Sequence, residues 1–140
     1  EGSRLEQYKA SVANLGLKDR VDFTGWLSNC EIQKLVAQSN LGLFPSRIES
    51  FGLSVVEAMA AGLPIVTASG GAIPENVKEG VTGMLVPINN ADALTKAIIS
   101  VLENPQRSES LAKTAKTGVQ KKFIWDKTAD SVINLYQSTL

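Results

Sequence analysis

Histidine is absent from the 140 residues, which removes Ser–His and Cys–His catalysis and most zinc sites. Cysteine occurs once, at Cys30, so no internal disulfide can form and a reducing compartment is expected. A lone cysteine is ordinarily a small core hydrophobe, and Cys30 is given no catalytic role. Neither sign of charge is in excess: 14 basic and 14 acidic residues cancel, which points away from nucleic acid and anionic membranes as partners. No apolar run reaches the roughly 20 residues of a membrane span, and no signal-peptide pattern opens the chain. Metal-ligating clusters, internal repeats and low-complexity tracts are also missing. Any catalysis is left to carboxylates, backbone amides, lysines and arginines.

What is present suits an ordinary globular domain, with 44% hydrophobic and 20% charged residues over a length that supports one core. Residues 1–140 are therefore expected to form a single domain. Glu1 to Leu15 reads as helix from the outset, with Ser3 as a cap and Leu5, Tyr8, Val12 and Leu15 at helical spacing. With no leading strand and no methionine before it, this start suggests a domain truncated at its N-terminal end. VDFT (Val21–Thr24), ended by Gly25, reads as a strand. A helix capped by Ser28 or Asn29 runs through Gln38. LGLF (Leu41–Phe44) and PIVTA (Pro64–Ala68) are apolar runs of the kind buried in parallel sheets. Between them lies a helix from about Leu53 to Ala61, closed by Gly62. MLV (Met84–Val86) is a further short strand, followed by a helix over Ala91–Glu103 that Asn104–Pro105 breaks. Two helical stretches finish the chain, about Gln106–Lys122 and Asp126–Leu140, the second capped by Asp126. The alternation predicts an α/β fold, a Rossmann-like parallel sheet with helices on both faces.

Ligands of such sheets bind beyond the carboxyl ends of the strands. Three loops qualify by position: Gly25–Asn29, Pro45–Gly52 and Ala68–Pro74. The second holds ESFGLSVVE, in which Glu49 and Glu57 bracket seven residues. The helix that begins there offers unpaired N–H groups and a partial positive charge to an anion such as phosphate. Gly52 permits close approach of the backbone. Glu49 would repel a phosphate but accepts hydrogen bonds from sugar hydroxyls, and Glu57, about a turn into the helix, suits a vicinal diol such as a ribose.

Plainer readings exist for each residue. An acid near a helix start commonly just complements the dipole, although the apolar neighbours of Glu57 imply that it needs a partner. Gly70–Gly71 read alone is a turn, Trp26 and Trp125 are core or docking aromatics, and Lys121–Lys122 is a solvated helix end. Two carboxylates also fit a glycosidase pair, but that chemistry has no use for the phosphate-ready backbone between them. A dehydrogenase or epimerase is disfavoured because no strand is followed by G-x-G-x-x-G with an acid some twenty residues on.

The run PSRIESFGLSVVEAMAAGLPIVTASGGAIPENVKEGVTGMLVPI resembles the C-terminal domain signature of retaining GT-B glycosyltransferases of family 4, the glycosyl transferases group 1. The flanks LGLKDRVDFTGWLSNCEIQKLVAQSNLGLFPS and KKFIWDKTADSVINLY are similar more weakly. GGAIPE departs from the commoner GG-x-PE spelling, with Ala72 where a second glycine often sits.

The resemblance implies half of a two-domain enzyme that moves a sugar from a nucleotide-diphosphate donor to a glycan, lipid or small-molecule acceptor. The acceptor domain and the diphosphate-binding arginine and lysine would precede Glu1, leaving this chain inactive alone. Glu49 would be the catalytic-centre carboxylate, on the donor sugar. Ser50, Phe51, Gly52 and Leu53 would line the sugar and diphosphate, Glu57 the ribose, and Gly25, Trp26 and Leu27 the base. Gly71 and Glu75 would be structural, in a loop behind the site. The resemblance implies no metal and no cofactor; a UDP- or GDP-sugar is the substrate. It further implies a cytoplasmic enzyme, any attachment to the inner membrane face lying in parts outside this chain. The helices from about 106 would pack on this domain or on the acceptor domain. The competing reading is a non-catalytic partner or regulatory domain of the same fold, against which the intact Glu49 and Glu57 weigh.

Overall fold

The computed structural model describes residues 4–139, which divide into two compact units, one through Lys34 and one from Leu35 onward. In the first, α1 spans Leu5–Asn14 and is followed by a 3-10 turn at Lys18–Arg20. Ser3, expected to cap α1, lies outside the described residues. The apolar stripe of α1 buries no residue fully, and Tyr8 and Leu15 are exposed.

Val21–Thr24 is not a strand. Val21 is extended, as its β-branched side chain favours, but a strand needs a neighbour to complete its ladder, and none among the described residues pairs with this run. Cys30 is exposed rather than a core hydrophobe, and Trp26 is 88% exposed.

α2 covers Asn29–Gln38, and the unit boundary falls inside it. It opens with a reciprocal capping box: the Glu31 carboxylate accepts from the Ser28 hydroxyl at 2.6 Å and from the Ser28 N–H at 2.8 Å. Ser28 Oγ accepts in return from the Glu31 N–H at 3.4 Å. The hydroxyl bond first, and the backbone bond second, hold the Glu31 carboxyl below its ordinary pKa. Because the folded-state pKa is depressed, the box supports α2 above the usual carboxylate range and is lost as pH falls through the folded value. Ser28→Ala is expected to move the Glu31 titration upward, read from its side-chain carboxyl resonance; an unmoved midpoint would refute the assignment.

The second unit is a three-stranded parallel sheet in chain order, β1 (Gly42–Phe44), β2 (Ile65–Ala68) and β3 (Met84–Val86). Leu43 faces Val66 across the first pair, and Thr67 faces Leu85 across the second. Every residue of the central strand is buried, as expected of a strand covered on both faces. Its alternation divides the core: Ile65 packs with Val55, Met59, Ile73 and Val119, while Val66 packs with Val86, Ala97, Val101 and Leu111. The first cluster is supplied by α3 (Leu53–Ala61), α4 (Ile73–Asn76) and the later turns of α6 (Pro105–Lys122). The second is covered by α5 (Ala91–Leu102) and the start of α6. The expected layered α/β architecture is what forms.

Asparagine decides where the covering helices begin. Asn90 Oδ1 accepts from the Ala93 N–H at 2.9 Å, and Asn104 Oδ1 accepts from the Arg107 N–H at 3.0 Å. Pro105, placed in the first turn of α6, needs no hydrogen-bond acceptor there. α7 runs Trp125–Thr139, so Asp126 sits in its first turn and is not its cap. None of its described residues is buried, and Trp125 is 87% exposed, which rules out a core position in this structure.

Candidate functional site

The carboxyl ends of β1 and β2 are tied together before the site loop begins. Thr67, the one buried polar residue among those described, donates its hydroxyl to the Phe44 carbonyl at 3.0 Å. The chain then leaves the sheet at Pro45 and runs through Glu49 and Ser50 into α3.

This loop has a backing. After β2 the chain turns through Gly70 and Gly71, and the absence of side chains lets the two backbones touch. A Cβ on Gly70 would lie 2.4 Å from the Arg47 carbonyl oxygen, and one on Gly71 would lie 2.1 Å from that of Glu49. Gly71 also has φ +58°, a region that disfavours any residue with a Cβ. The Ala72 N–H donates to the Glu49 carbonyl at 2.9 Å. The glycine pair is thus more than a turn: it is the surface on which the backbone of Glu49 rests. The Glu49 carboxylate itself forms no ion pair among the described residues and is only partly buried.

Gly52 joins this loop to α3 at φ +78°, buried, its α-carbon pressed towards Ile73. Its carbonyl accepts the Val56 N–H at 3.1 Å, and helix geometry leaves the amides before Val56 without intrahelical acceptors. α3 is not apolar all round as its sequence suggests. Val55, Val56, Ala58 and Met59 point inward, whereas Leu53, Ser54, Glu57 and Ala61 are exposed. Glu57 therefore needs no protein partner, because its face of the helix is open to water. Leu53, Glu57 and Ala61, four residues apart, form one line along that face.

The structure thus assembles Glu49, Ser50, Phe51, Gly52, Leu53 and Glu57 around the start of one helix at the carboxyl edge of the sheet. Gly25, Trp26 and Leu27 belong to the first unit, and they do not follow a strand. Three contributors were not legible in sequence. Asn76 Nδ2 donates to the Phe51 carbonyl at 2.7 Å. Lys122 Nζ donates to Asn76 Oδ1 at 3.3 Å and to the Glu75 carbonyl at 3.1 Å, so it is not the free helix-end lysine its position suggests. Phe123 meets the Phe51 ring edge-on, with centroids 5.6 Å apart. These contacts span up to 72 residues of chain (123 − 51), beyond the reach of any local pattern. The described residues contain no group of His, Cys, Asp or Glu suited to a metal, and no helix long and apolar enough to cross a membrane.

Residues 1–118 match the family model described as glycosyl transferases group 1. An uncharacterized glycosyltransferase of Methanocaldococcus jannaschii is 33% identical over 123 residues, an alignment covering 88% of this chain and 32% of the relative. Sucrose-phosphate synthase from Thermosynechococcus elongatus superposes with a TM-score of 0.88 at 32% identity, over 99% of this chain and 35% of that one. The Anabaena protein HepE, solved in complex with UDP-glucose, gives a TM-score of 0.85 at 30% identity, over 97% of this chain and 37% of that one. The chain therefore spans about a third of the length of the proteins it matches. With most of its length matched by the family model and its fold shared with these enzymes, the chain belongs to the glycosyl transferases group 1.

Proposed function

We propose that this chain forms part of the nucleotide-sugar site of a retaining glycosyltransferase, with Glu49 at the transferred sugar and Glu57 at the ribose. One observation carries the reading: the backbone of Glu49, four residues before the start of α3, is fixed against Gly71 and Ala72, while its carboxylate makes no ion pair among the described residues. A clamped main chain with a free acid beside unsatisfied amides suits a ligand that carries both hydroxyls and phosphates. The solved relative that holds UDP-glucose supports a nucleotide sugar as that ligand.

In the reaction, the acceptor hydroxyl approaches the anomeric carbon from the face that the nucleotide diphosphate leaves. The bond from that carbon to the diphosphate breaks as the new glycosidic bond forms, and the hydroxyl proton departs with the diphosphate. Amides at the start of α3 stabilise the charge that grows on the leaving group. Glu49 orients the sugar through its hydroxyls. The acceptor, a glycan, lipid or small molecule, is held by a second domain, as is usual for a cleft between two Rossmann-like halves.

UDP and GDP titrated into the labelled chain are expected to shift the amides of Phe51, Gly52, Leu53 and Glu57. Glu57→Ala should weaken that binding by about tenfold, the value of one or two charge-assisted hydrogen bonds in partly solvated surroundings. Shifts confined to other parts of the second unit would overturn the reading.

A further inference from the structure

We propose that Asn76 and Lys122 are positioning residues that aim the Phe51–Gly52 peptide at the donor; this rests on the nucleotide-sugar reading given above. The Phe51 carbonyl and the Gly52 N–H belong to one planar unit and point in opposite directions. Whatever holds the carbonyl therefore sets the direction of the amide. Asn76 holds it, from the last residue of α4, through a hydrogen bond of 2.7 Å.

Lys122 decides which way the Asn76 side chain faces. An ammonium can only donate, so the oxygen of the Asn76 amide turns towards Nζ, at 3.3 Å, and the nitrogen is left for Phe51. The second bond of Lys122, to the Glu75 carbonyl at 3.1 Å, ties the ammonium to the backbone of α4. The same ammonium lies 4.8 Å from the centroid of the Phe123 ring, and that ring meets Phe51 edge-on. Phe51 is thus gripped at both ends, its carbonyl by Asn76 and its ring by Phe123. The grip is made by the C-terminal end of α6 and by α4. Neither positioning side chain hydrogen-bonds to Glu49 or Glu57, so its contribution is separable from theirs.

Asn76→Asp isolates the effect. It preserves size and the oxygen that Lys122 binds, but sets a second acceptor against the Phe51 carbonyl and forces the peptide to rotate. In the labelled chain, the Gly52 and Leu53 amides should move while those of Val66 and Val86 stay in place, and the Kd for UDP should rise about tenfold. Lys122→Met should raise it two- to threefold, and Lys122→Arg should restore it to within twofold of the parent. Lys122 is exposed, so its variants report even if Asn76→Asp fails to fold. Unmoved Gly52 and Leu53 amides in Asn76→Asp, or unchanged UDP affinity in a folded Asn76→Asp or Lys122→Met, would overturn the positioning role alone. A parent chain that shows no shift with UDP or GDP would bring down the nucleotide-sugar reading and this inference with it.

Discussion

Gly71→Ala is expected to destabilise the second unit by about 3 kcal/mol and to lower its melting temperature by on the order of 10 °C. Two costs combine. A residue with a Cβ at φ +58° carries a penalty of about 1–2 kcal/mol. The new methyl must also escape a carbonyl oxygen 2.1 Å away. That atom is backbone, so no rotamer change relieves the contact. Glu49 has to move, and the hydrogen bond from Ala72 to its carbonyl stretches with it. Gly80→Ala is the matching control, because Gly80 has φ +67° with nothing within 4 Å of the Cβ position. It should cost the dihedral penalty alone. Equal losses from the two substitutions, measured by thermal unfolding, would show that the packing of Gly71 on Glu49 has no energetic weight.

Glu49→Gln in the full-length gene product is expected to lower sugar transfer by about 10²- to 10³-fold, the range seen when one preorganised electrostatic group is removed from a reacting centre. The fold should be indifferent to the change. The carboxylate has no ion-pair partner among the described residues, and the contacts that fix this position are made by its backbone. UDP affinity should also hardly change, because UDP lacks the sugar that Glu49 is proposed to touch. The expected signature is a fall in kcat with a nearly constant Kd for UDP and an unchanged melting temperature. Near-normal turnover in a folded Glu49→Gln enzyme would remove Glu49 from the reacting centre. A parallel loss of stability would instead mark it as structural.

The two substitutions probe one loop from opposite sides. Gly71 holds the main chain of Glu49 from behind, and the side chain of Glu49 makes no ion pair among the described residues. Rigid support under an unpaired acid is the arrangement that positioning for catalysis requires, since a misplacement of about 1 Å can cost two orders of magnitude in rate.

The sequence by itself determined the strands Leu41–Phe44, Pro64–Ala68 and Met84–Val86 to within a residue, and with them the helices α3, α5, α6 and α7. Those segments announce themselves locally, through apolar runs too short for helices and through Asn, Gly and Pro at their ends. It also placed Glu49, Gly52 and Glu57 together at the start of α3, because they are neighbours along the chain. It failed wherever the outcome depended on a partner distant in sequence. Val21–Thr24 has the composition of a strand, but no strand among the described residues pairs with it. Glu57 looks buried among alanines and valines, yet the turn of α3 leaves it on the face that no other element of its unit covers. Gly70 and Gly71 read as a turn until the Arg47–Glu49 backbone is brought against them. Lys122 reads as a solvated end until it reaches α4. Local propensity and periodicity specify elements, whereas close approach, exposure and long-range hydrogen bonds are properties of how those elements pack. The tertiary structure alone decided that Glu49 would have a fixed backbone and a free carboxylate.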